Sequence, residues 1–508
     1  MNAPMTRLAP VLLASALILS ACVIVLAADA GQNAYEDQVV LLDVTYQTYD
    51  EDRPWTKRNP QSRSASAVVI PGPWLLTEAQ LVADATLIQV SKHGSAQKVP
   101  AHVAHIDLDA DLALLEVGET GFFDDLVPAS LAREIPTEGK LNSVRWRKRQ
   151  LEVSASRVSR LEVEEPYYGY FSHVFLFLRT DLSGGGWAEP VFDGEKLAGL
   201  SVSQNEQVVR VMPATVIQGY LDALAETRSY PGLPALKLMW QTNRDPALAA
   251  YLGLEGEPRG ILLREIPWGA TGWGVFQPRD ILLSLDGHAI DADGYYIHPR
   301  YGRLRFPNIA AEGHKTGDRI PAVVWRDGRK KELEIVLRPY PTAMQLIPWR
   351  RSNQPPAFLI AGGLLFRELD AEYLRTWGKD WKHKAPSNLT TRWSLARHAQ
   401  DAAHRRIIIL SGVIPDDYNV GYHSLHDLEV TAVNGRPIDS IADLVEAFAH
   451  PVDGFHTVNF YPNMARMELV LDAGEFEAAT RRILQAYNLP LSLRLDENIP
   501  SPWRVDER

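Results

Sequence analysis

Few positions in this chain combine residue types that could do covalent chemistry. The most suggestive stretch runs Asp181-Leu182-Ser183-Gly184-Gly185-Gly186-Trp187-Ala188-Glu189-Pro190. Acyl transfer needs a nucleophile, a base and main-chain N–H donors for the oxyanion. Ser183, followed by glycines, offers a hydroxyl for the first of these. Serine and glycine are equally the ordinary residues of a turn, and that plainer reading of Ser183 is preferred. Asp111 heads Asp111-Leu112-Ala113-Leu114-Leu115 and, taken alone, reads as a strand-start aspartate bonded to nearby backbone. His93, His102 and His105 lie a short way upstream. His423 and His426 stand three apart, not far from His404-Arg405-Arg406, but two histidines without a third ligand read as surface residues. The single cysteine, Cys22, excludes an intrachain disulfide and a cysteine-based metal site. Neither a metal nor a cofactor is implied.

The elements that must carry these residues are short strands. Val39–Thr45, Ala67–Ile70, Trp74–Thr77, Ala85–Val90 and Asp111–Val117 are apolar or β-branched runs separated by turn signals such as Pro71-Gly72-Pro73. Many short strands without helical spacing predict a sandwich or barrel. One helix closes this region, where apolar positions recur at helical intervals from Ala214 to Thr227. A length of 508 residues suggests about three domains.

Several motifs in the first region, taken in order, resemble the Deg/HtrA (protease Do-like) family of trypsin-like serine peptidases, in its plant-type branch. Ala65-Ser66-Ala67-Val68-Val69-Ile70 resembles the family's Gly-Ser-Gly strand, and Leu76-Thr77-Glu78-Ala79-Gln80-Leu81-Val82 its Leu-Thr-Asn-x-His-Val-Val segment. Val90-Ser91-Lys92-His93-Gly94-Ser95 resembles the plant-type branch in particular. Thr180-Asp181, Pro190-Val191-Phe192 and Leu197-Ala198-Gly199-Leu200 frame its nucleophile loop. By this resemblance the acid is Asp111, the base position holds Gln80, and the nucleophile position holds Trp187. The loop is also about two residues short, with Ala188 and Glu189 in place of glycines. Glutamine cannot take up and return a proton at neutral pH, and an indole has no nucleophilic atom. The triad implied by the resemblance is therefore incomplete, with Gln80, Asp111 and Trp187 at its three positions.

The rest of the chain resembles two PDZ-like modules of the same family. In the first, residues 230–341, Gly260-Ile261-Leu262-Leu263 is the strand expected to receive a peptide, with the Gly253–Arg259 loop near the peptide's carboxylate. Ala322–Lys330 enters an Asp-Gly hairpin turn, and Glu332–Leu337 returns from it. In the second, residues 355–491, Gly421–Ile438 repeats the pattern of Gly274–Ile290, with one extra residue before its Asn-Gly turn. That module is specialised for subunit contacts in the plant-type branch. The expected fold is mainly β with α+β modules: a trypsin-like double β-barrel over residues 38–228, the two PDZ-like domains, and a tail over 492–508.

Composition bounds the function. Hydrophobic residues at 46% and charged residues at 23% are ordinary globular values. A net charge of −11 argues against a nucleic-acid binder, and the run Arg145-Trp146-Arg147-Lys148-Arg149 reads as a solvated strand or loop. Arg7 precedes an uncharged run from Leu8 to Ala28, which within residues 1–30 reads as an export signal. A retained membrane anchor and a lipidated Cys22 in Leu19-Ser20-Ala21-Cys22 are its alternatives. All three place the folded part outside the cytoplasm, in a periplasm or cell envelope. The function expected is an exported, non-cleaving homologue that binds peptides or unfolded clients. The resemblance implies a trimer-based homo-oligomer and an active relative as a partner. An endopeptidase with a non-standard site and a structural envelope protein are the alternatives.

Overall fold

The computed structural model describes residues 35–147, 149–166, 169–181, 185–226, 229–399, 405–462 and 467–495. The Leu8–Ala28 run and Ser183 lie outside them. Among the described residues no helix is long and apolar enough to cross a membrane.

Six strands near the amino terminus close on themselves: β1 (Val39–Tyr46), β2 (Gln61–Ile70), β3 (Trp74–Thr77), β4 (Ala85–Ser91), β5 (Val99–Asp107) and β6 (Leu112–Val117). Their order is β1-β2-β3-β6-β5-β4, sealed where β1 pairs with β4, so the barrel has no free edge. Between β3 and β4 sits a single helical turn, α1 (Ala79–Val82), with all four residues buried. A second barrel follows from β7 (Ser130–Leu131), β8 (Lys140–Arg147), β9 (Gln150–Glu164), β10 (His173–Thr180), β11 (Pro190–Asp193), β12 (Lys196–Asn205) and β13 (Val208–Pro213). Pairing of β11 with β12 closes six of these strands, and β7 lies parallel on β12. Helix α2 (Ala214–Glu226) buries Val216, Ile217 and Tyr220. One apolar cluster joins the barrels, packing Val68, Leu76 and Leu112 with Phe175, Phe192 and Leu200.

The next sheet contains β14 (Met239–Thr242), β15 (Ile261–Glu265), β16 (Ile281–Leu285), β17 (His288–Ala289), β20 (Arg319–Arg326) and β21 (Arg329–Val336), with a separate hairpin of β18 (Tyr295–His298) and β19 (Gly302–Arg305). Asp327-Gly328 joins β20 to β21 with φ of +54° and +72°, the paired left-handed conformation a two-residue hairpin turn requires. The order is β14-β15-β16-β20-β21. This overturns the expectation for Gly260–Leu263. Strand β15 pairs with β14 on one side and with β16 on the other, so it has no edge to offer a peptide. Ile261, Leu262 and Leu263 are all buried, and a Cβ on Gly260 would meet the Leu282 carbonyl oxygen at 2.5 Å. These residues are core, and the free edge near them is β14. The module is also welded to the second barrel: Val174, Leu176 and Leu178 of β10 share one apolar cluster with Ile261, Leu263 and Phe306.

The last sheet contains β22 (Phe358–Ala361), β23 (Leu364–Glu368), β24 (Ile408–Val413), β25 (Leu428–Val433), β26 (Arg436–Pro437), β27 (Phe455–Phe460), β28 (Glu468–Asp472) and β29 (Leu493–Arg494). Its order is β28-β27-β25-β24-β23-β22-β29, with β26 beside β25. The repeat seen in the sequence is visible here, because β23-β24-β25-β27-β28 follows the order of β14-β15-β16-β20-β21. Asn434-Gly435 turns β25 into β26 as Asp286-Gly287 turns β16 into β17, all four residues at positive φ. This module reaches back to the first barrel. The Trp55 ring lies 5.9 Å from that of Phe358, and Arg494 donates to the Pro54 carbonyl at 2.9 Å.

Candidate functional site

Where the barrels meet, Gln80, Asp111 and Trp187 line one cavity of ≈ 230 Å³, with Phe175, Val202, Met212, Pro166, Ser203 and Arg210 completing its wall. Helix α1 presents Gln80, and the turn between β5 and β6 presents Asp111. Sequence distance hid the partner of Asp111. Instead of bonding only nearby backbone, it accepts from the Gln80 backbone N–H at 2.9 Å and from Gln80 Nε2 at 2.9 Å, 31 residues away. Gln80 Nε2 also donates to Glu78 Oε2 at 3.1 Å. The carboxamide thus presents its donor to the acid, as an imidazole N–H would, but it carries no basic nitrogen.

The acids around this amide are unusually buried. Glu78 is fully buried, and burial together with the neighbouring Asp111 charge holds its carboxyl well above the usual range. Burial pushes Asp111 up to about 7, against the pull of the Gln80 N–H and of Arg350. Glu189 is raised by burial too, with Arg145 3.8 Å away opposing the shift. Asp111 accepts both Gln80 N–H donors and Glu78 accepts one, and these bonds work against the burial that raises both carboxyls.

The loop bearing Trp187 is folded down on β12. Gly185 N–H donates to Gln204 Oε1 at 3.0 Å, Ala188 N–H to the Ser201 carbonyl at 2.9 Å, and Glu189 N–H to Ser201 Oγ at 3.0 Å. A Cβ on Gly186 would lie 2.4 Å from the Gln204 nitrogen, so the chain presses directly on the strand. Ala188 holds φ at +51°, a conformation that costs a non-glycine residue about 1–2 kcal/mol. The Trp187 side chain remains half exposed, at 50%, on the cavity wall. Three of the loop's N–H groups are therefore spent on β12 and its side chains.

The remaining candidate residues lie elsewhere. His93 sits 3.1 Å from Glu36, and His105 Nδ1 is 2.6 Å from the Tyr220 hydroxyl. His426 meets Asp427 and His423 meets the Asp416 carbonyl, and among the described residues no group of three ligating side chains gathers. Among the histidines that the sequence reading did not single out, His173 lies nearest this cavity's wall, beside Phe175. His173 is wholly buried, with its ring 4.0 Å from that of Phe175. Burial lowers it to about 3, so it is neutral, and Nδ1–H donates to the Val174 carbonyl at 2.8 Å. Its place at the head of an apolar strand is the only sequence signal it gave.

Comparison with known proteins follows the same lines. The profile of the PDZ domain family matches residues 347–493. Protease Do-like 4, mitochondrial, of Arabidopsis thaliana is 26% identical over 469 residues, covering 91% of this chain and 85% of that protein. Protease Do-like 2, chloroplastic, of the same plant is 25% identical over 484 residues, covering 93% and 77%. A solved HtrA-type protease, AlgW with decapeptide, aligns over 61% of this chain and 99% of its own, at 19% identity and a TM-score of 0.47.

Proposed function

This chain belongs to the Deg/HtrA, protease Do-like, family, and we propose that within it the protein is an exported, non-cleaving member that captures extended polypeptide through its first PDZ-like module. The observation that carries the reading is the amide at Gln80. A general base must accept a proton at the atom facing the nucleophile, whereas Nε2 here is a donor shared between Asp111 and Glu78. Trp187 adds no nucleophile, and the Gly185 N–H is already committed to Gln204.

Peptide capture is assigned to β14 (Met239–Thr242). Strand addition needs a row of unpaired main-chain groups, and β14 is an end strand of its sheet, with Gln241 and Thr242 exposed. Clients of this reading are extended peptides or unfolded proteins, held by a homo-oligomer outside the cytoplasm. Sequencing the mature amino terminus checks export, and an intact Met1 on a cytoplasmic protein would end that part.

The central test is a cleavage assay on unfolded casein with fluorophosphonate labelling. No cleavage and no label are expected. Gln80→His with Trp187→Ser should stay inactive or nearly so, because one missing oxyanion donor already costs roughly 10²–10³ in rate. Cleavage by the unaltered chain that is lost in Ser183→Ala would overturn the reading.

A further inference from the structure

The two PDZ-like modules share a strand order, but one connection sets them apart. Residues 369–407, between β23 and β24, form a run about twice as long as residues 243–260, between β14 and β15. The longer run is also charged against the rest of the chain. Eight Lys and Arg stand in it against four Asp and Glu, within a protein of net charge −11. Helices α3 (Trp381–Lys384) and α4 (Ser387–Ala396) fold it. Trp381 and Trp393 bury their rings 5.5 Å apart, in an apolar cluster with Tyr373, Leu374 and Leu389. With Trp381 turned inward, the rest of its helical turn, Lys382, His383 and Lys384, is left exposed. Lys379 is exposed just before it.

Most charges of the connection are engaged elsewhere. Asp370 is paired with Arg351, and Glu372 accepts the Arg351 backbone N–H at 3.3 Å. Arg375 donates to the Trp349 carbonyl, Arg392 lies 2.8 Å from Glu429, and Arg406 lies 3.4 Å from Glu368. Arg397 donates to His398 Nε2 at 3.1 Å. Asp380 is the acid beside the exposed group, 3.6 Å from Lys384, with both side chains largely in solvent. Among the described residues, Lys379, Lys382 and His383 meet no carboxylate, and Lys382 reaches only the Trp381 ring, at 5.7 Å.

We propose that this turn is a docking site for acidic segments of polypeptide, a contact beyond β14 and independent of it. Lys379, Lys382 and Lys384 supply ammonium donors to carboxylates of the incoming chain. A single exposed ion pair contributes little and is screened by salt, so several lysines must act on several carboxylates together. Successive residues of a helical turn point about 100° apart, so a flexible chain can follow these side chains where a flat bilayer cannot. A helix that lies on a membrane also needs a broad apolar face. Among the described residues of this connection, Leu395 is the one large apolar side chain that stands exposed. An acidic polypeptide is therefore favoured over an anionic lipid surface.

Fluorescence anisotropy with the full chain tests this, using a labelled Glu/Ser peptide and a Gln/Ser peptide of equal length. The Glu/Ser peptide should bind about tenfold more tightly, and raising the salt should shrink that difference. Lys379→Glu, Lys382→Glu and Lys384→Glu together should erase it. Asp380→Asn, which keeps a good helix N-cap, should widen it about twofold. Binding of the Gln/Ser peptide reports capture at β14, so failure there and failure of this proposal are told apart. Equal binding of the two peptides by the unaltered chain overturns the proposal. So does a preference for the Glu/Ser peptide that survives the charge reversal, or one that Asp380→Asn leaves unchanged or reduces. Charge-reversal-sensitive binding to vesicles containing phosphatidylglycerol, without a preference for the Glu/Ser peptide, also overturns it, in favour of a lipid surface.

Discussion

In the first PDZ-like module β14 has β15 on one side and, among the described residues, no strand on the other, whereas its counterpart β23 in the last module is covered by β22, itself covered by β29. The sheets share an order, and the turns Asp286-Gly287 and Asn434-Gly435 occupy equivalent places. The edge therefore separates them. An open edge offers main-chain donors and acceptors to an incoming strand, and a covered one has already used them. What the last module gives up there it gains in attachment: the covering strand holds Phe358 against Trp55, and the strand outside it supplies Arg494 to Pro54. One copy of the repeat is suited to binding and the other to bracing.

Removing the cover should have the largest effect. Phe358 is fully buried between the sheet and Trp55, so Phe358→Ala should cost about 3–5 kcal/mol in the denaturant stability of the last module. A loss below 1 kcal/mol would mean that the cover is incidental. Next comes the open edge. Successive residues of a strand alternate the direction of their N–H groups, so proline at Gln241 and proline at Thr242 should differ. One should weaken binding of an extended peptide about tenfold or more with the fold retained; the other should break the ladder to β15 and lower stability. Equal peptide binding by both variants would remove β14 from the account. The smallest effect belongs to Arg494→Ala, which loses one hydrogen bond to Pro54 and its stacking over Phe358 and Tyr49. About 1 kcal/mol is expected in unfolding, with peptide binding at β14 unchanged.

Much of the architecture was legible because its signals are local. Closely spaced β-branched runs with turn residues announced a sandwich or barrel, the family resemblance chose the barrels, and Asp-Gly and Asn-Gly pairs marked the hairpins that recur in both modules. Periodicity could not say which strand lies at an edge. Ile261-Leu262-Leu263 reads as an apolar strand whether it sits at a rim or in the middle, and here both of its neighbours are present. His173 was missed for a similar reason, since a buried neutral histidine in an apolar strand leaves no spacing to detect.

The residue types at positions 80, 111 and 187 were determined by the sequence alone, and with them the absence of a basic nitrogen and of a nucleophilic atom at the first and last. Only the tertiary structure decided what those side chains do instead. Asp111 takes both of its Gln80 bonds from 31 residues away. Glu51 meets Arg351 and Arg367 from some 300 residues away. Such pairings depend on which surfaces the packed barrels and sheets bring together, and a buried charge is tolerable only where that packing supplies its partner.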